Sequence, residues 1–226
     1  MKIYTSKDMA RVDCHDCNGC FKCCHNMGNS IILDPYDIYQ LWENMGLTFE
    51  ELLAGPVELH VEDGLIIPNI RMIDETGSCG FLDSNGSCGI HDFRPGLCRL
   101  FPLARGFEKD KLGYFCLQDK VCPANKSKIR IDKWLGIKDL KKYEEFQLQW
   151  HDLKKQVQAS VVEALSEQQL KGSEQNASKA QAILTQFIQY FYVKPYEGDF
   201  YEEVYSRMVT FRNIIYSCTR NNDELK

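Results

Sequence analysis

Residues Cys14–Cys24 read C-H-D-C-N-G-C-F-K-C-C and place five thiols within eleven residues. This is far more sulfur than the packing of a hydrophobic core needs. Thiols that are spaced by three residues can face one point, which is the arrangement that zinc ions and iron–sulfur clusters require. The stretch therefore predicts a metal centre around which the first half of the chain is organised.

The spacing inside this stretch narrows the class of site. The pattern C-x2-C-x2-C-x3-C, which runs from Cys14 to Cys24, is that of ferredoxins. A bacterial ferredoxin is not expected, because His25 follows in place of proline and no second run exists. The radical S-adenosylmethionine spacing C-x3-C-x2-C fails because Met27 occupies its third position. Zinc ribbons need a second C-x2-C knuckle, which the later single cysteines do not form, so zinc and iron–sulfur both stay open.

Length and composition exclude several other classes of protein. The 226 residues suffice for one sizeable core or for a cysteine-rich domain with a helical appendage. The formal net charge of -5 gives no basic field, so neither nucleic acid nor an anionic membrane is an expected partner. Met1–Ala10 lacks the apolar core of a signal peptide, and no apolar run is long enough for a transmembrane helix. We expect a cytoplasmic protein, in which clustered cysteines act as ligands or catalytic groups and disulfides are rare.

The distribution of cysteines predicts two parts. Ten of the eleven precede residue 124, and only Cys218 lies beyond it. We expect a cysteine-cluster metal-binding domain at residues 1–130 and a helical C-terminal part at residues 131–226 that packs on it. The predicted fold class is α+β and mostly helical, with a loop-rich, metal-bound cysteine domain and a C-terminal three-helix part.

Helix start and stop signals place the first elements. Asp34-Pro35 begins a helix that Gly46 ends, and a capping box at Thr48–Glu51 begins a second helix. Alternating apolar residues predict a short strand at 29–33 and a hairpin made of 57–61 and 65–73.

Three amphipathic helices are predicted after Asp139, because apolar residues recur every three or four positions. Gly172-Ser173 breaks the first of these helices, and the second ends before Pro195. Asp199 caps the third. Their apolar stripes are expected to pack on one another or on the N-terminal part.

Later cysteines extend the candidate ligand set. Asn85-Gly86 predicts a tight turn that folds Cys79 and Cys88 towards each other. Adjacent Cys23 and Cys24 would point different ways in an extended backbone, so that only one of them would bind a given ion. Ten cysteines are candidate metal ligands: Cys14, Cys17, Cys20, Cys23, Cys24, Cys79, Cys88, Cys98, Cys116 and Cys122.

Charged and imidazole side chains accompany these cysteines. His15, His25 and His91 are either further ligands or donors of hydrogen bonds to thiolates. Arg94 and Arg99 bracket Cys98, and we consider two roles for them. They bind a cofactor, by compensating thiolate charge or by holding an anionic group, or they bond to loop carbonyls.

Two spaced blocks carry a resemblance to a known family. CxxCxxCC ends at Cys24, and CGFL at Cys79 is followed by CGIHDFRPGLCRLFP from Cys88. This order resembles the YkgJ family of cysteine-cluster proteins, which are described as having a zinc- or iron-chelating CxxCxxCC domain. The resemblance covers roughly residues 14–123 and includes the family's late cysteine before proline, here Cys122-Pro123. Cys14 and Cys116 are additional to the family pattern.

The resemblance implies a cofactor but not an activity. Flagellin lysine N-methylase is similar in this domain and is implied to carry a [4Fe-4S] cluster, so the resemblance implies such a cluster on some of these cysteines. It does not carry over methylation, since this chain is much shorter and its C-terminal part shows no glycine-rich nucleotide loop.

The predicted function is that of a cytoplasmic metal-binding protein with a [4Fe-4S] cluster, in a redox, assembly or protein-modification role. One alternative is an enzyme that resembles the methylase and uses S-adenosylmethionine on a protein lysine. The other alternative is a zinc-stabilised interaction module whose helices dock a partner. The expected partners are metal ions and, in the two alternatives, a protein substrate or a protein partner.

Overall fold

The computed structural model describes residues 2–13, 22–73, 75–108, 111–117, 127–171 and 174–220. The helices in these ranges are α1 (Pro35–Met45), α2 (Phe49–Ala54), α3 (Gly96–Leu100), α4 (Ile131–Leu135), α5 (Leu140–Lys171), α6 (Glu174–Ile188) and α7 (Phe200–Arg220). Short 3₁₀ turns lie at Lys22–Cys24 and His91–Phe93, and a π turn at Gln189–Val193 continues α6. The strands are β1 (Met9–Asp13), β2 (Val57–Glu62), β3 (Leu65–Ile70), β4 (Met72–Ile73), β5 (Ser78–Cys79), β6 (Leu103–Glu108), β7 (Lys111–Cys116) and β8 (Ser127–Arg130). These elements confirm the predicted α+β class that is rich in helix.

The described strands form four antiparallel pairs. β1 pairs with β8, β2 with β3, β4 with β5, and β6 with β7. The predicted hairpin is confirmed, although β3 ends at Ile70 and the following Met72–Ile73 pairs with Ser78–Cys79 instead. The strand predicted at 29–33 is reduced to one bridge between Ile32 and Asn69, because this segment only borders β3.

Two buried carboxylates tie α1 to distant parts of the chain. Asp34 caps α1 as predicted, and Asp34 and Asp37 accept each other's backbone N–H at 3.0 Å. Asp37 Oδ1 also accepts the N–H of Gly96 at 2.8 Å, which fixes the start of α3. Gln147 of α5 donates its side-chain N–H to Asp34. The first turn of α1 therefore positions both α3 and α5.

We expect Asp37→Ala to lower the free energy of unfolding by about 2–4 kcal/mol, because two buried N–H groups would lose their acceptor. Glu51 occupies the same position in the capping box of α2 but is exposed. Glu51→Ala should therefore cost at most about 1 kcal/mol. Urea unfolding of the two variants measures the difference, and equal losses would contradict this role of the buried carboxylate.

One hydrophobic core joins the N-terminal elements to the C-terminal helices. Its fully buried members come from α1 and the segment before it, α2 and the β2–β3 hairpin on one side, and from α5, α6 with its π turn, and α7 on the other. They include Leu33, Leu41, Leu52, Val57, Ile70, Phe146, Phe187, Phe191 and Phe211. Trp150 lies between these groups and stacks on Phe187 with ring centroids 5.3 Å apart. Hydrophobic burial therefore holds the first half of the chain to the helices.

A second, smaller core lies beside α3 and α4. It is formed by Ala10, Val12, Leu100, Leu103, Tyr114, Ile131, Trp134 and Leu135. The β1–β8 pair and the β6–β7 hairpin meet here. The Trp134 indole N–H donates to the carbonyl of Leu100 at 3.3 Å, so α4 is joined to the end of α3.

No helix in the described ranges is both long enough and apolar enough for a membrane span.

Candidate metal centre

The segment that ends in Cys24 is held beside β5. Cys23 and Cys24 occupy a 3₁₀ turn, and the chain leaves it through a bridge between His25 and Ser78. The N–H of Asn26 then donates to the carbonyl of Gly77 at 2.7 Å. These contacts bring the first cysteine-rich segment next to Cys79 although some fifty residues separate them in sequence.

A tight turn brings Cys88 back to the same place, as predicted from Asn85-Gly86. The Asp83 carboxylate accepts the N–H groups of Asn85 and Ser87, each at 2.8 Å. Gly86 has φ +76°, a conformation that glycine adopts without strain. A bridge between Leu82 and Cys88 closes the loop, and the thiols of Cys79 and Cys88 lie near enough to interact electrostatically, in agreement with the predicted turn.

Helix α3 supplies Cys98. The helix begins after Pro95, and its first residue, Gly96, is fixed by Asp37. Cys98 is half-buried. Its thiol interacts electrostatically with Cys79 and Cys88, so it lies on the side of this short helix that faces the other cysteines.

Five thiols from four segments of the chain thus lie near enough to one another to interact electrostatically. Burial raises the pKa of Cys98 well above its ordinary value, and the nearby Cys79, Cys23 and Cys88 raise it further. The pKa of Cys79 and that of Cys88 are also raised, mainly by burial. The six cysteines whose side chains the structure describes are all free thiols. The arrangement is therefore a cluster of unlinked sulfur donors.

Cys23 and Cys24 act as a pair. Their thiols are hydrogen-bonded to each other, which lowers the pKa of Cys23 to about 7 and raises that of Cys24. The expectation that they point different ways assumed an extended backbone. The 3₁₀ turn at Lys22–Cys24 instead brings both sulfurs to one side, where each interacts with Cys79.

Backbone N–H groups also point at the sulfurs. The N–H of Phe81 donates to Cys79 Sγ at 3.5 Å, and the N–H of Ile90 forms a hydrogen bond with the Cys88 sulfur. Such bonds favour the thiolate form, which is the form that binds metal. They also tune the potential of iron–sulfur clusters. The local backbone therefore suits charged sulfur.

Only some of the candidate ligands lie within the residues that the structure describes. Cys14, Cys17, Cys20, Cys122 and His15 lie outside the described residues. Within the described ranges, no three His, Cys, Asp or Glu side chains meet in a geometry that holds a metal ion by itself. The described thiols by themselves therefore do not form a complete coordination shell.

Cys116 lies at the end of β7, opposite Leu103 of β6. Its half-buried side chain packs against the second core. The ligand role predicted for Cys116 stays a prediction.

The two arginines take different roles. Arg94 lies close enough to Cys23 and Cys88 for its charge to favour their thiolate forms, although burial raises the pKa of Cys88 overall. One of the terminal N–H groups of Arg94 bonds to Nε2 of His91. Arg99 donates instead to the carbonyls of Asp92 and, at 3.0 Å, of Arg94. The position of Arg94 favours charge compensation of the thiolates, whereas two of the donors of Arg99 bond to loop carbonyls. His91 is engaged with Arg94, and its position suits a supporting residue better than a ligand.

A cavity of about 510 Å³ lies beside this cluster and was not foreseen from the sequence. Its wall combines apolar Leu97 and Trp150 with charged Asp34, Arg105 and Lys154. Leu97 precedes Cys98 directly, so the cavity adjoins the helix that carries one of the clustered thiols. Its volume is in the range of small-molecule sites.

Comparison with known proteins agrees with this location of the site. Residues 16–123 match the family model CxxCxxCC, whose description is "Putative zinc- or iron-chelating domain". The match covers slightly less than half of the chain and includes all five clustered thiols. It supports metal binding by this part. No curated protein and no solved structure matches the chain significantly, so the relation to YkgJ proteins and to the methylase stays a prediction.

Proposed function

We propose that the cysteine-rich part of the chain holds an iron–sulfur centre, a [4Fe-4S] cluster, in a redox, assembly or protein-modification role. The convergence of five free thiols from four separate segments carries this proposal. The clustered Cys23, Cys24, Cys79, Cys88 and Cys98 would share ligation with some of Cys14, Cys17, Cys20, Cys116 and Cys122. A bound cluster would supply electron transfer.

The donor set fits such a centre. The described donors are all sulfur, which favours zinc or iron–sulfur over calcium or magnesium. Burial raises the pKa of Cys79, Cys88 and Cys98, so these thiols are protonated when no cation is near. A bound metal ion would remove these protons, because a thiol that coordinates a metal is deprotonated. Arg94 and the two backbone N–H groups add positive potential around the sulfurs.

Zinc is the alternative ion, because tetrahedral sulfur sites take either metal. In that case the centre would be structural, and the helices would serve as an interaction module. Methylation with S-adenosylmethionine stays a prediction from the resemblance. A cytoplasmic location is part of the proposal, since free thiols persist in a reducing compartment.

Anaerobic purification followed by metal and sulfide analysis tests the proposal. We expect iron and labile sulfide in comparable amounts, with the visible absorption of an iron–sulfur cluster that bleaches on reduction. A colourless protein with stoichiometric zinc would establish the zinc alternative and overturn the cluster. Protein with neither metal, purified from cells supplied with both, would contradict metal binding altogether.

A further inference from the structure

A second pocket, of about 190 Å³, lies between α1, the start of α3, the turn that joins α4 to α5, and the first turn of α5. Its wall carries three cations, namely Arg94, Arg99 and Lys138. We call it the arginine pocket. Its volume lies below the ~300–1,000 Å³ typical of drug-sized ligands, so it suits a small one.

The positive charge in the arginine pocket is not neutralised by ion pairs. Among the described residues, none of the three cations forms a salt bridge with a carboxylate. Asp37 and Asp92 also line the wall. The two carboxylate oxygens of Asp37 accept backbone N–H groups, and burial and the nearby Asp34 raise its pKa. Among the described residues, neither guanidinium group therefore has a carboxylate oxygen within ion-pair distance.

Both guanidinium groups keep N–H donors that the described residues do not use. Arg94 Nε is buried and has no acceptor, which is an unfavourable state for a charged donor. Arg99 directs Nε and Nη2 to loop carbonyls, so Nη1 is left over. Gly136 borders Nη1, because a Cβ at this glycine would lie 3.9 Å from it. The absence of a side chain at this position keeps the space beside Nη1 open.

We infer that the arginine pocket binds a phosphate-sized oxyanion, either free phosphate or the phosphate group of a small monoester. Planar guanidinium donors match the oxygens of such a group, and Lys138 adds a point charge at the rim. The inference does not depend on the identity of the metal, because no clustered thiol lines the pocket.

Calorimetric titration of the full-length, metal-loaded protein with inorganic phosphate at low ionic strength tests the inference. We expect one saturable site. Gln40 lines the pocket, and its side chain has no hydrogen bond within the described residues. Gln40→Glu places a carboxylate there with almost no change in shape and should weaken binding by about tenfold or more. Gln158→Glu, on α5 and away from the pocket, is the matched control and should leave the affinity unchanged.

Lys138→Gln is the second variant, since Lys138 is exposed and its replacement does not threaten the fold. It should weaken phosphate binding by several-fold. Titration with glycerol phosphate then separates the two sources of the group. Equal or tighter binding of the ester indicates a monoester ligand, and binding of phosphate alone indicates the free ion. Absence of saturable binding, or binding that neither Gln40→Glu nor Lys138→Gln weakens, would overturn the inference. The second outcome would place the phosphate elsewhere, for example on the metal.

Discussion

Replacing Cys98 by alanine is expected to remove most of the bound metal from the anaerobically purified protein. Cys98 interacts with Cys23, Cys79 and Cys88, so its sulfur lies within the cluster of donors. Removing a hydrogen-bond partner of a metal ligand costs about 10–100-fold in metal affinity, and the loss of a ligand should cost more. Metal content per chain and competition with a chelator measure the change.

Two comparisons separate a ligand from a buried thiol that only packs. Cys218→Ala changes a cysteine in the last turn of α7, outside the family match, and should retain the metal. After the metal has been stripped from both proteins, wild type and Cys98→Ala should differ in unfolding free energy by only about 1 kcal/mol. With metal present the gap should widen, because only the wild type gains the binding energy. A gap of the same size in both states would show that Cys98 is not a ligand.

Local sequence signals predicted much of this fold. The ends of α1 follow from Asp34-Pro35 and Gly46, and the approach of Cys79 to Cys88 follows from Asn85-Gly86. Each signal works within a few residues, because capping and turn formation satisfy backbone groups nearby. Such features can be predicted without knowledge of the rest of the chain.

Elements that were missed lack such signals. Helix α3 has only five residues, too few for a helical period, and it directly follows Pro95. The β6–β7 hairpin pairs Gly106 with Gly113, and these glycines interrupt the alternation that marks a strand. Both elements are fixed by tertiary contacts. One such contact is the bond from Gly96 to Asp37, which lies 59 residues away.

The candidate site, too, could be predicted only in part. Counting cysteines yields the list of donors, but the sequence does not say which of them meet. That outcome depends on long-range pairing, such as the bridge between His25 and Ser78. The arginine pocket was harder to foresee, because Gln40, Gly136 and Lys138 carry no motif and meet only in the folded chain.

Arg207 of α7 is another residue whose role the sequence concealed, since an arginine in an amphipathic helix is normally a solvent-exposed residue. Only 4% of Arg207 is exposed. Its guanidinium donates to the carbonyls of Tyr190 and Lys194, each at 2.7 Å, and to the carboxylate of Glu203. It also lies 3.8 Å from the ring centroid of Tyr196. One side chain thus satisfies the carbonyls that the π turn leaves open where α6 ends.

We expect Arg207→Met to lower the free energy of unfolding by about 3–5 kcal/mol, because it removes the charge partner of Glu203 and leaves several buried carbonyls without a donor. Arg212 is the matched control on the same helix. It pairs with Asp152 at 3.5 Å, and 31% of the Arg212 side chain and 61% of the Asp152 side chain are exposed. Arg212→Met should therefore cost at most about 1 kcal/mol. Urea unfolding in one fixed metal state measures both variants, and similar losses would show that Arg207 does not fasten α7 to the end of α6.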